Sequence, residues 1–268
     1  ALQNWSTGYR QFYWNVENFD PHQHGVDPIF CASGVVMDTL AARVSPRAYV
    51  NVMHHAVQRQ ENVAVFEGTA LQSVDAARSI AHLSNGETIS FGHIIIAAGY
   101  EAFPLLKSAL AASDIAELGQ GVKGQAALLK GNIDPTSPVV FLNGLYIIPH
   151  EDGTVAIGST SEMSFDDPLS TDADLAKLLQ TARAVMPALE SADVIERWAG
   201  LRPRAIGREP MIGAVQTASN VIALAGGFKV SFGIAHKLAD AALTFINGGT
   251  PDVPDEFLLS HHLSVAKV

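Results

Sequence analysis

A single cysteine, Cys31, occurs in the 268 residues, which excludes an internal disulfide framework and a CxxC metal site. Long hydrophobic runs are missing too, and stretches such as Ile94–Ala98 are far too short to span a bilayer. The opening Ala1-Leu2-Gln3-Asn4-Trp5 has no basic region, no signal-peptide core and no initiator methionine. Lys and Arg total 17 against 27 Asp and Glu, for a formal charge of −10, with no dense basic run. That balance argues against a nucleic-acid or anionic-membrane partner and is read as plain solubility. Together with the lone cysteine it leads us to expect a cytoplasmic protein. No GxSxG surrounds Ser159-Thr160-Ser161, no Walker loop occurs, and no GxGxxG or GxGxxA follows an apolar strand. The pairs His22/His24, His54/His55 and His261/His262 lack the spacing of a zinc site, and Cys31 reads as a small buried residue.

What is present is 48% hydrophobic residues and 22 scattered glycines, enough for one large domain or two interleaved ones. Ser45-Pro46 opens a helix in which Val50, Met53 and Val57 form one buried stripe. Asn62–Gly68 reads as a strand. Asn85-Gly86 joins Ile80–Leu83 to Thr88–Ser90 as a hairpin. His93–Gly99 is continuously apolar, as in a buried parallel strand with its C-terminal end opening into a tight turn. From about Gly121 to Ser161 the pattern becomes antiparallel, with turns at Asn143-Gly144 and Asp152-Gly153. A helix capped by Thr171 carries Leu175, Leu178, Leu179, Ala182 and Met186 until Pro187. A strand at Val194–Trp198, a second buried strand at Val221–Ala225 and a closing helix at Gly233–Ile246 follow. The fold class is therefore α/β with an α+β mix: a partial Rossmann-like, nucleotide-type domain interrupted by an antiparallel-sheet substrate domain.

Two strand ends invite a ligand, Ala97-Ala98-Gly99 and Gly226-Gly227-Phe228. Small residues leave room for close backbone approach, and a helix begins just after the second. Buried strands also end in glycine for purely structural reasons. Arg202 follows a strand and precedes Pro203, a setting suited to bidentate capture of a carboxylate, and Lys229 adds a second positive charge. Both also read as ordinary surface or ion-paired cations.

These pieces, in order, resemble glycine oxidase and the wider D-amino-acid oxidase family of flavoproteins. Ile94–Gly99 is similar to the family's strand ending in a small-small-Gly turn. Tyr146-Ile147-Ile148-Pro149-His150 with Gly153–Glu162 resembles its "YxxPR … GxxxVGxTxE" hairpin. Arg197–Pro203, followed by Gly207, Pro210 and Ile212-Gly213, resembles "WAGLRPxTxDGxPxIG", and Ala225–Lys229 with Gly233-Ile234-Ala235 resembles "GHxxNGxxLAP". Gly34–Asp38 through Arg47 resembles the "GxxxDP" passage.

The resemblance implies non-covalent FAD, held by Ala70 and Leu71 at the adenine, by Ala97, Ala98 and Gly99, and by Gly226, Gly227, Phe228, Lys229, Val230 and Ser231 at the flavin. It implies that Arg202 grips the substrate carboxylate with Tyr146 as a hydroxyl helper, and that the C–N bond of a small amino acid or secondary amine is oxidised. The related tRNA-modification oxidase domain and a non-catalytic binding module are the rival readings. His150, Arg204-Ala205-Ile206 and Lys229 depart from the family pattern and bear on substrate identity. The implied division is 1–40 as a substrate-domain segment and crossover, 41–105 as part of the FAD-binding domain, 106–197 as the antiparallel substrate-binding domain and 198–268 as the FAD-domain return. Because the GxGxxG unit is absent, roughly a hundred N-terminal residues of a typical member are expected to be missing. FAD affinity is then expected to be poor unless a second polypeptide completes the domain. The other expected partners are a small amino-acid or amine substrate and a second copy of the chain in a homo-oligomer, with no nucleic acid and no membrane segment.

Overall fold

The computed structural model describes residues 16–17, 24–32, 34–38, 42–110 and 117–266. Most of the N-terminal aromatic stretch, His22 and Ser33 lie outside these residues. The chain divides into two compact units. One comprises 1–64, 124–162 and 166–200, the other 65–123, 163–165 and 201–268.

In the first unit β1 (Val16–Glu17) pairs antiparallel with β2 (Met37–Asp38), and a helix α1 (Pro46–Gln58) follows. Proline at its first turn costs nothing, since that N–H would be unpaired anyway. The stripe expected to be buried is not: Val50 is 54% exposed and Met53 49%, and none of α1 is buried. The period marks one apolar face, but periodicity does not say whether anything covers it. Asn62–Gly68 also departs from expectation and forms no strand, with Val63, Val65 and Phe66 exposed. β-branched residues adopt a ladder only where a partner strand supplies its other half.

The antiparallel region forms as expected. Strands β7 (Gly119–Lys130), β8 (Val140–Leu142), β9 (Leu145–Pro149), β10 (Thr154–Gly158) and β11 (Asp193–Ala205) make a sheet in the order β11-β7-β10-β9-β8. The unit boundary falls within β7 and β11. Asn143 (φ 48°) and Gly144 (φ 92°) both sit in the left-handed region that a two-residue hairpin turn requires. Alternation along β9 and β10 sends Ile147, Val155 and Ile157 into a core with Leu175, Leu179, Ala182 and Val185 of α3 (Ala173–Val185). The cap of α3 is Asp172 rather than Thr171, because its carboxylate accepts from the N–H of Asp174 at 2.9 Å. Cys31 is only half-buried against this core, with burial, then Asp27, raising its thiol pKa.

The second unit holds two small sheets. Strands β3 (Leu71–Asp75), β4 (Ile80–Leu83) and β5 (Thr88–Ser90) run antiparallel, with the expected turn at Gly86 (φ 86°). Strands β6 (Ile94–Ile96), β12 (Met211–Val215) and β13 (Ala218–Ala225) form the other, in the order β12-β13-β6. β13 is buried on both faces. Val221, Ala223 and Ala225 share a cluster with Phe103 and Leu106 of α2 (Ala102–Leu110), while Ile222 packs with Leu238, Ala241 and Ala242 of α4 (Ser231–Ile246). Helices on both faces explain its unbroken apolar run. β6 is less enclosed than expected, since Ile96 is buried but Ile95 is 39% exposed at the sheet edge. Helix α5 (Leu259–Ala266) packs on β12 and buries His262. Among the described residues, no helix is long and apolar enough to cross a membrane, and no His/Cys/Asp/Glu group is arranged to hold a metal ion.

Candidate active site

The two small-residue strand ends are neighbours. β6 and β13 pair in parallel, with Ile94 opposite Val221 and Ile96 opposite Ala223. The turns that follow, Ala97-Ala98-Gly99 and Gly226-Gly227, therefore leave the same end of the sheet. In open α/β sheets that end is where ligands bind. Ala97, Ala98 and Gly99 are exposed, and a Cβ on Gly99 would meet nothing within 4 Å. The glycine pair is buried and structurally required. A Cβ on Gly226, which has φ 71°, would stand 2.7 Å from that of Ala205, and one on Gly227 would stand 2.4 Å from Ser231 Oγ. Helix α4 then starts with no side chain capping it.

β11 closes the arrangement from another side. The N–H of Phe228 donates to the carbonyl of Pro203 at 3.0 Å, and Arg204 forms an isolated bridge with Gly227. Pro203 has no N–H of its own, but its carbonyl remains an acceptor and is used here. Half-buried Arg202 is thereby held one residue from the glycine turn. Phe228 adopts φ 42°, uncommon for a residue with a side chain. Its ring is near two cations, with Arg204 Cζ 6.0 Å and Lys229 Nζ 5.5 Å from its centre. Lys229 and Val230 are exposed, and Ser231 is half-buried.

Two other groups of sequence-derived residues stand on other strands. Ala70 and Leu71 enter β3, where the N–H of Ala70 donates to Ser84 Oγ at 2.9 Å and its carbonyl accepts from the N–H of Ser84 at 2.8 Å. Tyr146 belongs to the first unit, on β9, 40% exposed, with its ring 4.6 Å from that of Phe141.

Some residues were not read from sequence as site residues, Arg204 being noted only as a departure from the family pattern. Arg204 Nη1 donates to Met163 Sδ at 3.3 Å, and Gln120 Nε2 donates to the same sulfur at 3.4 Å. The alternation of Arg202 and Arg204 about Pro203 was the available signal. In the first unit, fully buried Gln125 donates to Glu162 Oε1 at 3.0 Å and Asp172 Oδ1 at 2.9 Å, and accepts from the N–H of Asp172 at 2.8 Å. Its own N–H donates to Thr160 Oγ1 at 2.8 Å, so one amide fixes the Thr-x-Glu end of the hairpin. No spacing rule finds that amide, because its partners are far apart in sequence.

Residues 8–241 match the DAO family model of FAD-dependent oxidoreductases. The chain belongs to this family, whose cofactor is FAD. The DAO chain is 30% identical over 183 residues to glycine oxidase of Pseudomonas aeruginosa, covering 68% of this chain and 49% of that protein. It is 40% identical over 94 residues to glycine oxidase of Pseudomonas putida, covering 35% and 26% respectively. It thus spans half or less of the length of these relatives. Glycine oxidase of Geobacillus kaustophilus superposes with a TM-score of 0.79 over 96% of this chain and 70% of that one, at 19% identity, a likeness of fold. The strand ends of the DAO chain fit a flat ring. Exposed Ala97, Ala98 and Gly99 offer no side-chain obstruction, while the uncapped start of α4 supplies positive backbone dipole beside them.

Proposed function

We propose that the protein is an FAD-dependent oxidase or dehydrogenase acting on the C–N bond of a small amino acid or secondary amine, of glycine, sarcosine or D-amino acid type. The observation that carries this reading is the Phe228–Pro203 hydrogen bond, which holds Arg202 beside the strand ends. Segments 41–105 and 198–268 would make up the FAD-binding part, with 106–197 as the substrate domain. Ala97, Ala98, Gly99, Gly226, Gly227, Phe228, Lys229, Val230 and Ser231 would hold the flavin, and Ala70 and Leu71 the adenine. FAD, when bound, accepts the hydride from the substrate's α-carbon.

The protein's work is positioning and polarisation. Arg202 grips the carboxylate through two parallel N–H bonds, which fixes the direction in which the α-carbon points. Tyr146 offers a hydroxyl to the same headgroup. Backbone donors at the start of α4 favour negative charge developing nearby. Water then hydrolyses the released imine. A second polypeptide that completes the nucleotide-binding part, and separately a homo-oligomer of this chain, belong to the same proposal.

The test is anaerobic mixing of the whole FAD-loaded protein with glycine, sarcosine and D-amino acids while flavin absorbance is followed. Bleaching is expected, and Arg202→Ala is expected to lower kcat/KM by about a hundredfold or more, as loss of a bidentate charged pair costs roughly 2–5 kcal/mol. Unchanged rate and affinity in that variant would remove the carboxylate role.

A further inference from the structure

We propose that Arg204 is a second anion-recognising residue beside Arg202, so that the preferred substrates carry a second carboxylate. This rests on the amine-oxidising reading above and names its substrate class. Arg202 and Arg204 stand at alternate positions of β11, so both side chains leave the same face of the strand, about 7 Å apart along it. An α-carboxylate on the first guanidinium leaves a side-chain carboxylate one or two methylenes away within reach of the second.

Arg204 is poised for such a partner. It is half-buried, its backbone is pinned by the bridge to Gly227, and its guanidinium touches the sulfur of Met163 and the face of Phe228. Among the described residues it meets no carboxylate. A thioether is a weak acceptor, so most of the five guanidinium donors remain for a ligand. Half-buried, that charge is only partly solvated, so a carboxylate beside it gains more than it would in open water. Arg204 lines a cavity of about 340 Å³ with Gln120, Met163, Arg208, Gly119 and Glu117. That volume lies within the usual range for small-molecule pockets. Glu117, the one acid there, is held by Lys107 at 2.9 Å, which offsets its repulsion. Lys229, 5.5 Å from the centre of the same Phe228 ring, raises the positive potential further, in a chain whose net charge is −10.

Two measurements on the FAD-loaded protein test this. In the first, calorimetry compares glutarate with butyrate, two unreactive acids of similar reach. Glutarate is expected to bind at least tenfold tighter, with Arg204→Met abolishing the preference and Arg204→Lys restoring part of it. In the second, kcat/KM for D-glutamate divided by that for D-alanine is expected to fall at least tenfold in Arg204→Met. Equal binding of glutarate and butyrate by the parent overturns the proposal without any variant. So does an unchanged substrate ratio in a folded Arg204→Met protein. Amine turnover with no dicarboxylate preference sinks this inference alone. Arg204-dependent glutarate binding with no flavin reduction by any amine sinks the oxidase reading and leaves the anion site standing.

Discussion

The N–H of Phe228 donates to the carbonyl of Pro203 at 3.0 Å, tying the turn after β13 to the strand that carries Arg202. One backbone bond thus joins the turn proposed to hold the flavin to the strand proposed to grip an acid headgroup. The close crossing depends on glycine at 226 and 227, where a side chain would overlap Ala205 or Ser231.

Gly226→Ala is therefore expected to cost about 2–4 kcal/mol, combining left-handed backbone strain with a 2.7 Å approach to the Ala205 methyl. Gly99→Ala shares the positive φ but meets nothing within 4 Å, and should cost about 1–2 kcal/mol. Urea unfolding of the two variants checks the difference. Equal midpoints would contradict the packing described at the crossing.

Gln125→Leu removes the amide that serves Glu162 and Asp172 while filling similar space. A loss of about 1–3 kcal/mol is expected, because hydrogen bonds to half-buried Glu162 and exposed Asp172 are lost. A midpoint within experimental error of the parent would mean that water replaces the amide readily.

His262 gives a pH dependence with a defined sign. The ring is fully buried and lies 3.2 Å from the carbonyl of Pro210 through Nε2, while Nδ1 has no partner among the described residues. Burial, the largest influence, pushes its pKa below the ordinary histidine range. The unfolded chain therefore binds a proton near pH 6.5 that the folded chain refuses. Stability is fully present above that pH and declines as pH falls below it, until the folded-state pKa is reached. Melting temperatures from pH 7.5 down to 5 should show a shallower decline for His262→Phe than for the parent. Parallel slopes would assign the acid sensitivity to other groups.

Helix α1 makes the opposite forecast for stability. None of its residues is buried, so Val50→Glu with Met53→Glu should change unfolding free energy by less than about 1 kcal/mol. The same double variant should reduce self-association in light scattering, since contiguous exposed apolar surface promotes it. Marked destabilisation would show that this face is covered in the folded protein.

The antiparallel sheet was legible because β9 and β10 alternate and Asn143-Gly144 names its own turn type. β13 was legible because burial on both faces leaves an unbroken apolar run. The misjudged segments share one cause. α1 and Val63–Phe66 carry apolar patterns that say what could be buried, whereas burial depends on what packs against them. The glycine turn and Arg202 were found from strand ends and proline spacing. Arg204 was read only as a departure from the family pattern, and Met163 and Gln125 were missed, because their contacts depend on how distant strands are placed, which local pattern does not encode.

The parallel pairing of β6 with β13 also bears on how the molecule is made. Ile96 meets Ala223 only after every strand of the antiparallel sheet, β7 to β11, has been synthesised. Such long-range closure is slow, so Ile94-Ile95-Ile96 lacks its β13 neighbour on the growing chain until residues 221–223 have emerged from the ribosome.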